Sequence, residues 1–443
     1  MVRAIPFKGY RYNQKKISQM SKVVSPPYDI IKGEKVDKLQ AKSEYNISWV
    51  IKNKPQEGDT EGKNQYTRAA SLLNQWISDG VLAQDDEESF YVYGQNFTVD
   101  GEELFRFGFI GLIELEEFAT EAPKTGSFSG VLQHEETLPK DIKDRFSLSS
   151  ETMAYFGQIF VIYPDHEGDV DEILQDAMKE DAIIDVNDDD GVRHRIWKIS
   201  DENNTKQITA LMKDKYVIIA DGHHRYKTAL KMCKEHPELD SARYRMLTFV
   251  NIDNPGLVVL PTHRLVQNLT NFWEDDLKKK LMQYFEMEVL KTVDDMFSLM
   301  DKRFKDGKHS FGMFIDDGKY YVLTLKDIKI MDEMLQDKSE ELRKLDVSIL
   351  HTVILDYILG INKKKLMEGT MSGGGYVVYL KGIGDAVDEA ITSVKGDAQA
   401  VFFMNPTKVE EVEAVSKNFE CMPQKSTFFY PKVWTGFTIY KLE

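Results

Sequence analysis

Apolar and polar positions alternate in several rhythms along this chain, and each rhythm predicts an element. Phe90-Tyr91-Val92-Tyr93 and Phe105-Arg106-Phe107-Gly108-Phe109 flank Asp100-Gly101, the pattern of a β-hairpin. Residues 67–77 carry Ala69, Leu72, Leu73 and Trp76 at helical spacing, closed by Asp79-Gly80. The run Val24-Ser25-Pro26-Pro27-Tyr28-Asp29 reads as a loop, because paired prolines remove two amide donors and hold the backbone extended. Residues 118–150 read as an irregular polar loop followed by a short helix. Strands are expected at 156–163, 192–199, 215–220 and 245–252, with helices at 169–178 and 224–236.

A boundary is expected near residue 270. Beyond it the pattern predicts helices at 273–285, 385–394 and 409–418 and a long helical region at 332–359. It also predicts a hairpin around Asp316-Asp317-Gly318 and strands at 376–380, 398–404 and 435–441. The fold class is therefore α+β, a mixed α/β chain. The expected domains are residues 1–270 and a smaller α+β domain at 271–443, whose 422–432 segment returns to the cleft.

Composition narrows the function classes. At 443 residues the chain exceeds one ordinary core, and 42% apolar with 29% charged residues is the balance of a globular protein. A formal charge of −16 repels duplex nucleic acid and anionic membranes, and no strong Lys/Arg block offsets it. Neither partner is expected. Two cysteines exclude a disulfide scaffold and point to a reducing compartment, and no window approaches a membrane span. A cytoplasmic protein is the expectation.

The densest chemistry lies at Ala220-Asp221-Gly222-His223-His224-Arg225-Tyr226. A buried strand runs into Asp-Gly and then into a helix, whose leading amides lack internal partners and whose dipole end is positive. Such an end receives anions. Gly222 lets a phosphate approach the backbone, Arg225 can fork onto its oxygens, and His223 or His224 can donate or act as acid or base. The plain alternative is a strand–turn–helix corner with Asp221 as N-cap. Adjacent His223 and His224 point about 100° apart on a helix and do not readily share a metal. Asp185 to Gly191 is spaced wrongly for a calcium loop and reads as a turn, and Gly373-Gly374-Gly375 precedes a strand rather than a helix.

Three further segments carry candidate groups. In His134-Glu135-Glu136-Thr137, a carboxylate could act as general base or hold Mg²⁺ beside a phosphate; a solvated loop is the alternative. In Leu260-Pro261-Thr262-His263-Arg264, an Arg at a strand exit can clamp a carboxylate or phosphate, or serve as a surface ion-pair donor. In 422–432, Lys425, Ser426 and Thr427 are expected to face the cleft while Phe428, Phe429 and Tyr430 pack.

The 219–226 string resembles the phosphate loop of the ParB/sulfiredoxin superfamily. Gly222-His223-His224-Arg225 stands where sulfiredoxins show Gly-Cys-His-Arg, so sulfinic-acid chemistry is not implied. The loop is similar to that of the archaeal free serine kinases of the superfamily. Nearly end to end, the chain resembles the bacterial domain-of-unknown-function family 1015. That likeness rests on Ser25 to Asp29, His134 to Thr137, Asp144-Arg145, Asp221 to Tyr226, Leu260 to Arg264 and Pro423 to Lys432.

The resemblance implies a ParB/sulfiredoxin-like N-terminal core with insertions and a nucleotide-dependent phosphotransferase. The acceptor is a small hydroxylated metabolite, with free L-serine first. Asp221, Gly222, His223, His224, Arg225, Lys425, Ser426 and Thr427 then hold phosphate or nucleotide. Glu135, Asp29 and His223 are the catalytic candidates, with Glu135 also the candidate Mg²⁺ site. Ser25, Tyr28, His134, Arg145, His263 and Arg264 are assigned to the substrate. The cofactors implied are Mg²⁺ and a nucleoside di- or triphosphate. A nucleotide-gated switch without turnover and, behind it, a nuclease or DNA-binding factor are the competing readings.

Overall fold

The structure is a computed structural model that describes residues 2–121, 130–136, 140–366 and 375–442, with side chains at 140 and 141 left aside. Thr137, Gly373 and Gly374 of the sequence reading lie outside these residues. Two compact units are formed. The first combines Met1–Gln133, Thr137–Val258 and Pro431–Glu443; the second combines His134–Glu136 with Val259–Tyr430.

The first unit is built on a nine-stranded sheet. Its strands are β1 Ala4–Ile5, β2 Phe90–Val99, β3 Glu102–Glu114, β4 Val131–Gln133, β5 Ile159–Tyr163, β6 Ile184–Asn187, β7 Arg193–Ile199, β8 Val217–Asp221 and β9 Tyr244–Asn251. The order is β4-β8-β5-β9-β3-β2-β7-β6, with β1 on β3. β8 runs parallel to β4 and β9 parallel to β5, while the other pairs are antiparallel. The β2–β3 hairpin turns at Asp100-Gly101, both at positive φ, as the aromatic alternation predicts.

Val217, Ile218 and Ile219 are fully buried, because β8 lies inside the sheet with both faces covered. Val217 and Ile219 share a core with Phe109, Phe249, Val161 and Tyr226. Helix His223–Glu235 packs on helix Lys140–Thr152, and Tyr155, Ala229, Met232 and Leu442 form a smaller core beside them. Of the acidic run at 185–191, Asp185 to Asn187 belong to β6 and only the rest turns: Asp188 Oδ1 accepts from the amides of Asp190 and Val192.

The second unit has a six-stranded sheet. Its strands are β10 Thr262–Val266, β11 Phe285–Leu290, β12 Ser310–Ile315, β13 Lys319–Leu325, β14 Val377–Lys381 and β15 Ala400–Phe403, in the order β11-β13-β12-β15-β10-β14. Its core gathers Met296, Phe314, Val322, Val401 and Phe403.

Three expectations need correction. The helical region at 332–359 is a series of short helices, Lys329–Met334, Glu340–Arg343 and Asp346–Ile349, ending in a π-helix over Leu350–Ile358. The strand expected at 435–441 is reduced to Tyr440–Lys441 plus single bridges at Thr435 and Ile439. The strand expected at 156–163 is split, Ala154–Tyr155 and then Ile159–Tyr163, with Gly157 in the break. The mixed α+β class stands.

Candidate functional site

β8 ends in an irregularity, the register with β5 shifting between Ile219 and Asp221. Bulges of this kind re-aim side chains at the rim of a sheet. Asp221 is the last strand residue, and the N-cap of the following 13-residue helix is Gly222 at φ 103°, ψ 27°. An L side chain is strained in that left-handed conformation. No side chain caps this helix start, so the plain reading of Asp221 as N-cap does not describe it.

Asp221 instead receives cations. Arg225 Nη2 donates to its Oδ2 at 3.1 Å, and Lys432 Nζ stands 3.5 Å from the same oxygen. Buried Arg106 also feels the Asp221 charge; burial pushes its pKa down to about 10, so it remains a cation at neutral pH. Two cations thus stand against one carboxylate at a helix N-terminus, and the charge of a third, Arg106, reaches it. Lys432 is set in place by the chain around it: Gln95 Nε2 donates to its carbonyl at 3.0 Å, and Arg106 donates to the Pro431 carbonyl.

Arg225 is 9% exposed and folds back over the turn. Its Nη1 donates to the Gln158 carbonyl. A Cβ on Gly222 would stand 2.9 Å from Arg225 Nε, and one on Gly157 would stand 3.3 Å from Arg225 Nη1. Gly222 therefore makes room for the guanidinium, and Gly157 for both the guanidinium and Thr435, whose Oγ1 would stand 3.2 Å from a Cβ on Gly157.

Behind Arg225 opens a small cavity of ≈ 40 Å³, lined among others by Tyr28, Arg145, Tyr155, Arg225, Arg245 and Thr435. Backbone pairing between Ser25 and Thr435 holds the Pro26-Pro27 loop, and with it Tyr28, against the unit. Arg145 lies 4.1 Å from the Tyr28 ring centroid. Its Nε and Nη2 donate to Asp144, and its Nη1 donates to the Ile51 carbonyl. Arg245 lies 4.1 Å from the Tyr155 ring centroid and donates to the Gly157 carbonyl at 2.6 Å. Burial, aided by the Arg225 charge and opposed by Tyr155, holds its pKa down to about 9, which leaves it charged at neutral pH. Asp29 is exposed on the same loop as Tyr28, and its charge reaches Lys52.

The first unit thus gathers Ser25, Tyr28, Asp29, Arg145 and the 221–225 turn out of the sequence-predicted residues. Tyr28, Arg145 and Arg225 line one cavity, while Ser25 is buried and bonded to the Pro26 carbonyl. Sequence reasoning passed over Lys432, Arg245, Tyr155 and Thr435. Lys432 was marked only as part of a motif. Arg245 carried a signal, a cation in the otherwise apolar run Met246-Leu247-Thr248-Phe249.

The remaining candidates assemble within the second unit. Arg264 is mid-strand in β10 and 1% exposed, not at a strand exit. Its Nη2 donates to the Lys425 carbonyl at 2.9 Å and lies 3.4 Å from His351 Nε2. His134 Nε2 and Thr427 Oγ1 are 2.8 Å apart, Ser426 Oγ donates to the Pro423 carbonyl at 2.5 Å, and Lys425 is exposed at φ 61°. Glu135 pairs with Met422 in a parallel bridge, and its charge reaches Arg264. His263 Nδ1 accepts from the Met404 amide at 3.1 Å. Burial, then the Arg264 charge, lowers the His263 pKa to about 4.

Residues 4–348 match the family described as "Protein of unknown function (DUF1015)", and the chain belongs to that family. No curated protein matches it. Solved structures with some likeness include a conserved hypothetical protein from Pyrococcus furiosus, at 13% identity and TM-score 0.32, covering 68% of this chain and 89% of that one. A free serine kinase in complex with AMP gives 12% identity and TM-score 0.35, over 72% of this chain and 96% of that one. SbnI with C-terminal truncation from Staphylococcus aureus gives 11% and 0.34, over 70% and 83%. Likeness at this level establishes no shared ligand or reaction. Among the described residues, no helix is long and apolar enough to cross a membrane, and no three His, Cys, Asp or Glu side chains gather as a metal site.

Proposed function

We propose that the chain is a nucleotide-dependent phosphotransferase acting on a small hydroxylated metabolite, free L-serine being the first candidate. The observation that carries this reading is the cationic surround of the Gly222 turn. A left-handed glycine opens a helix that no side chain caps, and Arg106, Arg225 and Lys432 flank it. Transferring a phosphoryl group asks the protein mainly for positioning and charge neutralisation. Backbone amides at a helix start supply the first and fixed cations the second. The resemblance of the Gly222-His223-His224-Arg225 string to superfamily phosphate loops supports the same assignment.

In this reading His223 and His224 open the helix beside the phosphate, and Lys432 meets it as a point charge. Asp29, exposed beside the Tyr28 wall, is the base for the acceptor hydroxyl in the first unit. Mg²⁺ keeps several waters and binds through one or two carboxylates plus substrate phosphates. It would therefore arrive with the nucleotide, and the chain needs no preassembled cluster. Glu135 remains the candidate carboxylate of the second unit, with Lys425, Ser426 and Thr427 in its neighbourhood through Met422 and His134.

The test is an assay of ATP, ADP and pyrophosphate with Mg²⁺ against L-serine and related alcohols, in wild type and Lys432→Ala. Losing one charged contact to phosphate, about 1.5 kcal/mol, should weaken nucleotide binding about tenfold. Unchanged nucleotide affinity in Lys432→Ala sinks the site assignment. Binding without turnover for any acceptor would make the chain a nucleotide-gated switch instead.

A further inference from the structure

The cavity behind Arg225 presents three guanidinium groups, and no Asp or Glu is among the residues that line it. Two of the three have counter-charges: Arg145 has Asp144 and Arg225 has Asp221. Arg245 has none. It is 3% exposed and donates one hydrogen bond, to a carbonyl, while its Nε and Nη1 have no hydrogen-bond partner among the described residues. The hydroxyl of Tyr155, whose ring lies against Arg245, is likewise buried without a hydrogen-bond partner among the described residues.

Buried cations are ordinarily paired, and a buried donor left unsatisfied is costly. A packing role does not call for a guanidinium here, since an apolar side chain would stack on Tyr155 without that cost. The partner that would answer such a guanidinium is an anion, and the lining bears on which kind. Ile51, Leu148 and Phe156 provide an apolar wall beside the cations. A hydrated inorganic ion gains nothing from such a wall, whereas a small organic acid buries its carbon stub there and offers two oxygens to a guanidinium fork.

We propose that this cavity binds the carboxylate of a small organic acid, with Arg245 as its fork. The carboxylate site follows from the cavity alone. Its identification with the acceptor of the phosphoryl group rests on the phosphotransferase reading, under which Arg225 stands between the phosphate turn and the carboxylate pocket.

The experiment is calorimetric titration of the full chain, without nucleotide, using acetate, L-lactate, L-serine and inorganic phosphate as separate probes. Wild type, Arg245→Met and Arg145→Gln are compared, with ADP titrated in parallel. The expected result is binding of at least one carboxylate probe, weakened tenfold or more in Arg245→Met, whose unfolding midpoint stays level or rises. Arg145→Gln, on a separate helix, is expected to weaken the same probe and serves if Arg245→Met does not fold. No carboxylate binding, or binding equal in wild type and both variants, overturns the proposal. So does phosphate binding alone that is lost in Arg245→Met, because the site is then a phosphate site. If the carboxylates fail while ADP binds, only this proposal falls. If they bind while ADP does not, only the phosphotransferase reading falls.

Discussion

Replacing Gly222 by alanine tests the geometry on which the turn depends. The backbone there is at φ 103°, and the new Cβ would stand 2.9 Å from Arg225 Nε and 3.0 Å from Nη2. Holding an L residue in the left-handed region costs about 1–2 kcal/mol. The guanidinium must also move. It is 9% exposed, bonded to Asp221 and to the Gln158 carbonyl, and packed against Gly157, so it has little room. Forfeiting one charged hydrogen bond costs about 1.5–3 kcal/mol, which brings the expected loss to roughly 2.5–5 kcal/mol. Urea unfolding followed by tryptophan fluorescence reads the right unit. Trp49, Trp76, Trp197 and Trp434 lie in the first unit, and Trp273 of the second is 75% exposed. Repeating the substitution in an Arg225→Met background separates the two costs, because only the backbone cost of about 1–2 kcal/mol should remain. Equal losses in both backgrounds would show that the glycine does not make room for Arg225. A loss under about 0.5 kcal/mol in wild type, the range of an ordinary surface change, would refute the strained turn itself.

Two further predictions concern buried titrating groups. His263 has a folded pKa near 4 against an ordinary 6.5, so the unfolded chain binds the extra proton between those values. Its contribution is present above pH 6.5 and is lost as pH falls toward 4, at most about 3 kcal/mol. The protection of the Met404 amide, which donates to His263, should fall as pH drops across that window once its exchange is corrected for the intrinsic rate; constant protection would contradict the assignment. Asp171 behaves oppositely. Burial, then the Asp165 and Asp253 charges, raises its pKa to about 6 despite a hydrogen bond from Asn251. The folded state therefore binds the extra proton between about pH 4 and 6, and the cost of its charge is felt above that window. Asp171→Asn should stabilise the first unit at pH 7 by about 1–2 kcal/mol after solvent screening, and the gain should vanish near pH 4. A gain that persists at pH 4 would rule out titration as its cause.

Much of the fold could be read along the chain because local pattern and final environment agree. The run 215–236 combines a continuous apolar stretch, a glycine and a helical repeat, and these became β8, the Gly222 turn and a helix. The β2–β3 hairpin was legible from aromatic alternation around Asp100-Gly101. The 332–359 region was not, because apolar spacing over nine residues does not separate a π-helix from an α-helix, and Ser339 and Leu345 start new helices within the region. Residues 435–441 alternate like a strand, yet their partners come piecemeal, singly from Ser25 and Tyr10 and as a pair from Ala154-Tyr155, and no local signal encodes that.

The site divides along the same line. Donors adjacent in sequence, at 221–225, were visible as a cluster. The cavity was not, because Tyr28, Arg145, Arg245 and Thr435 meet only through tertiary packing. What singles Arg245 out is a conflict between levels: a cation in an apolar strand, buried at 3% exposure with two donors unanswered. Conflicts of this sort lower stability and persist where something other than stability maintains them. The glycines at 157 and 222 point the same way, since Gly222 is shaped to the Arg225 guanidinium, and Gly157 to it and Thr435, rather than to an apolar neighbour. Two small residues and three buried arginines were arranged around a space, and a core built only to pack would have filled it.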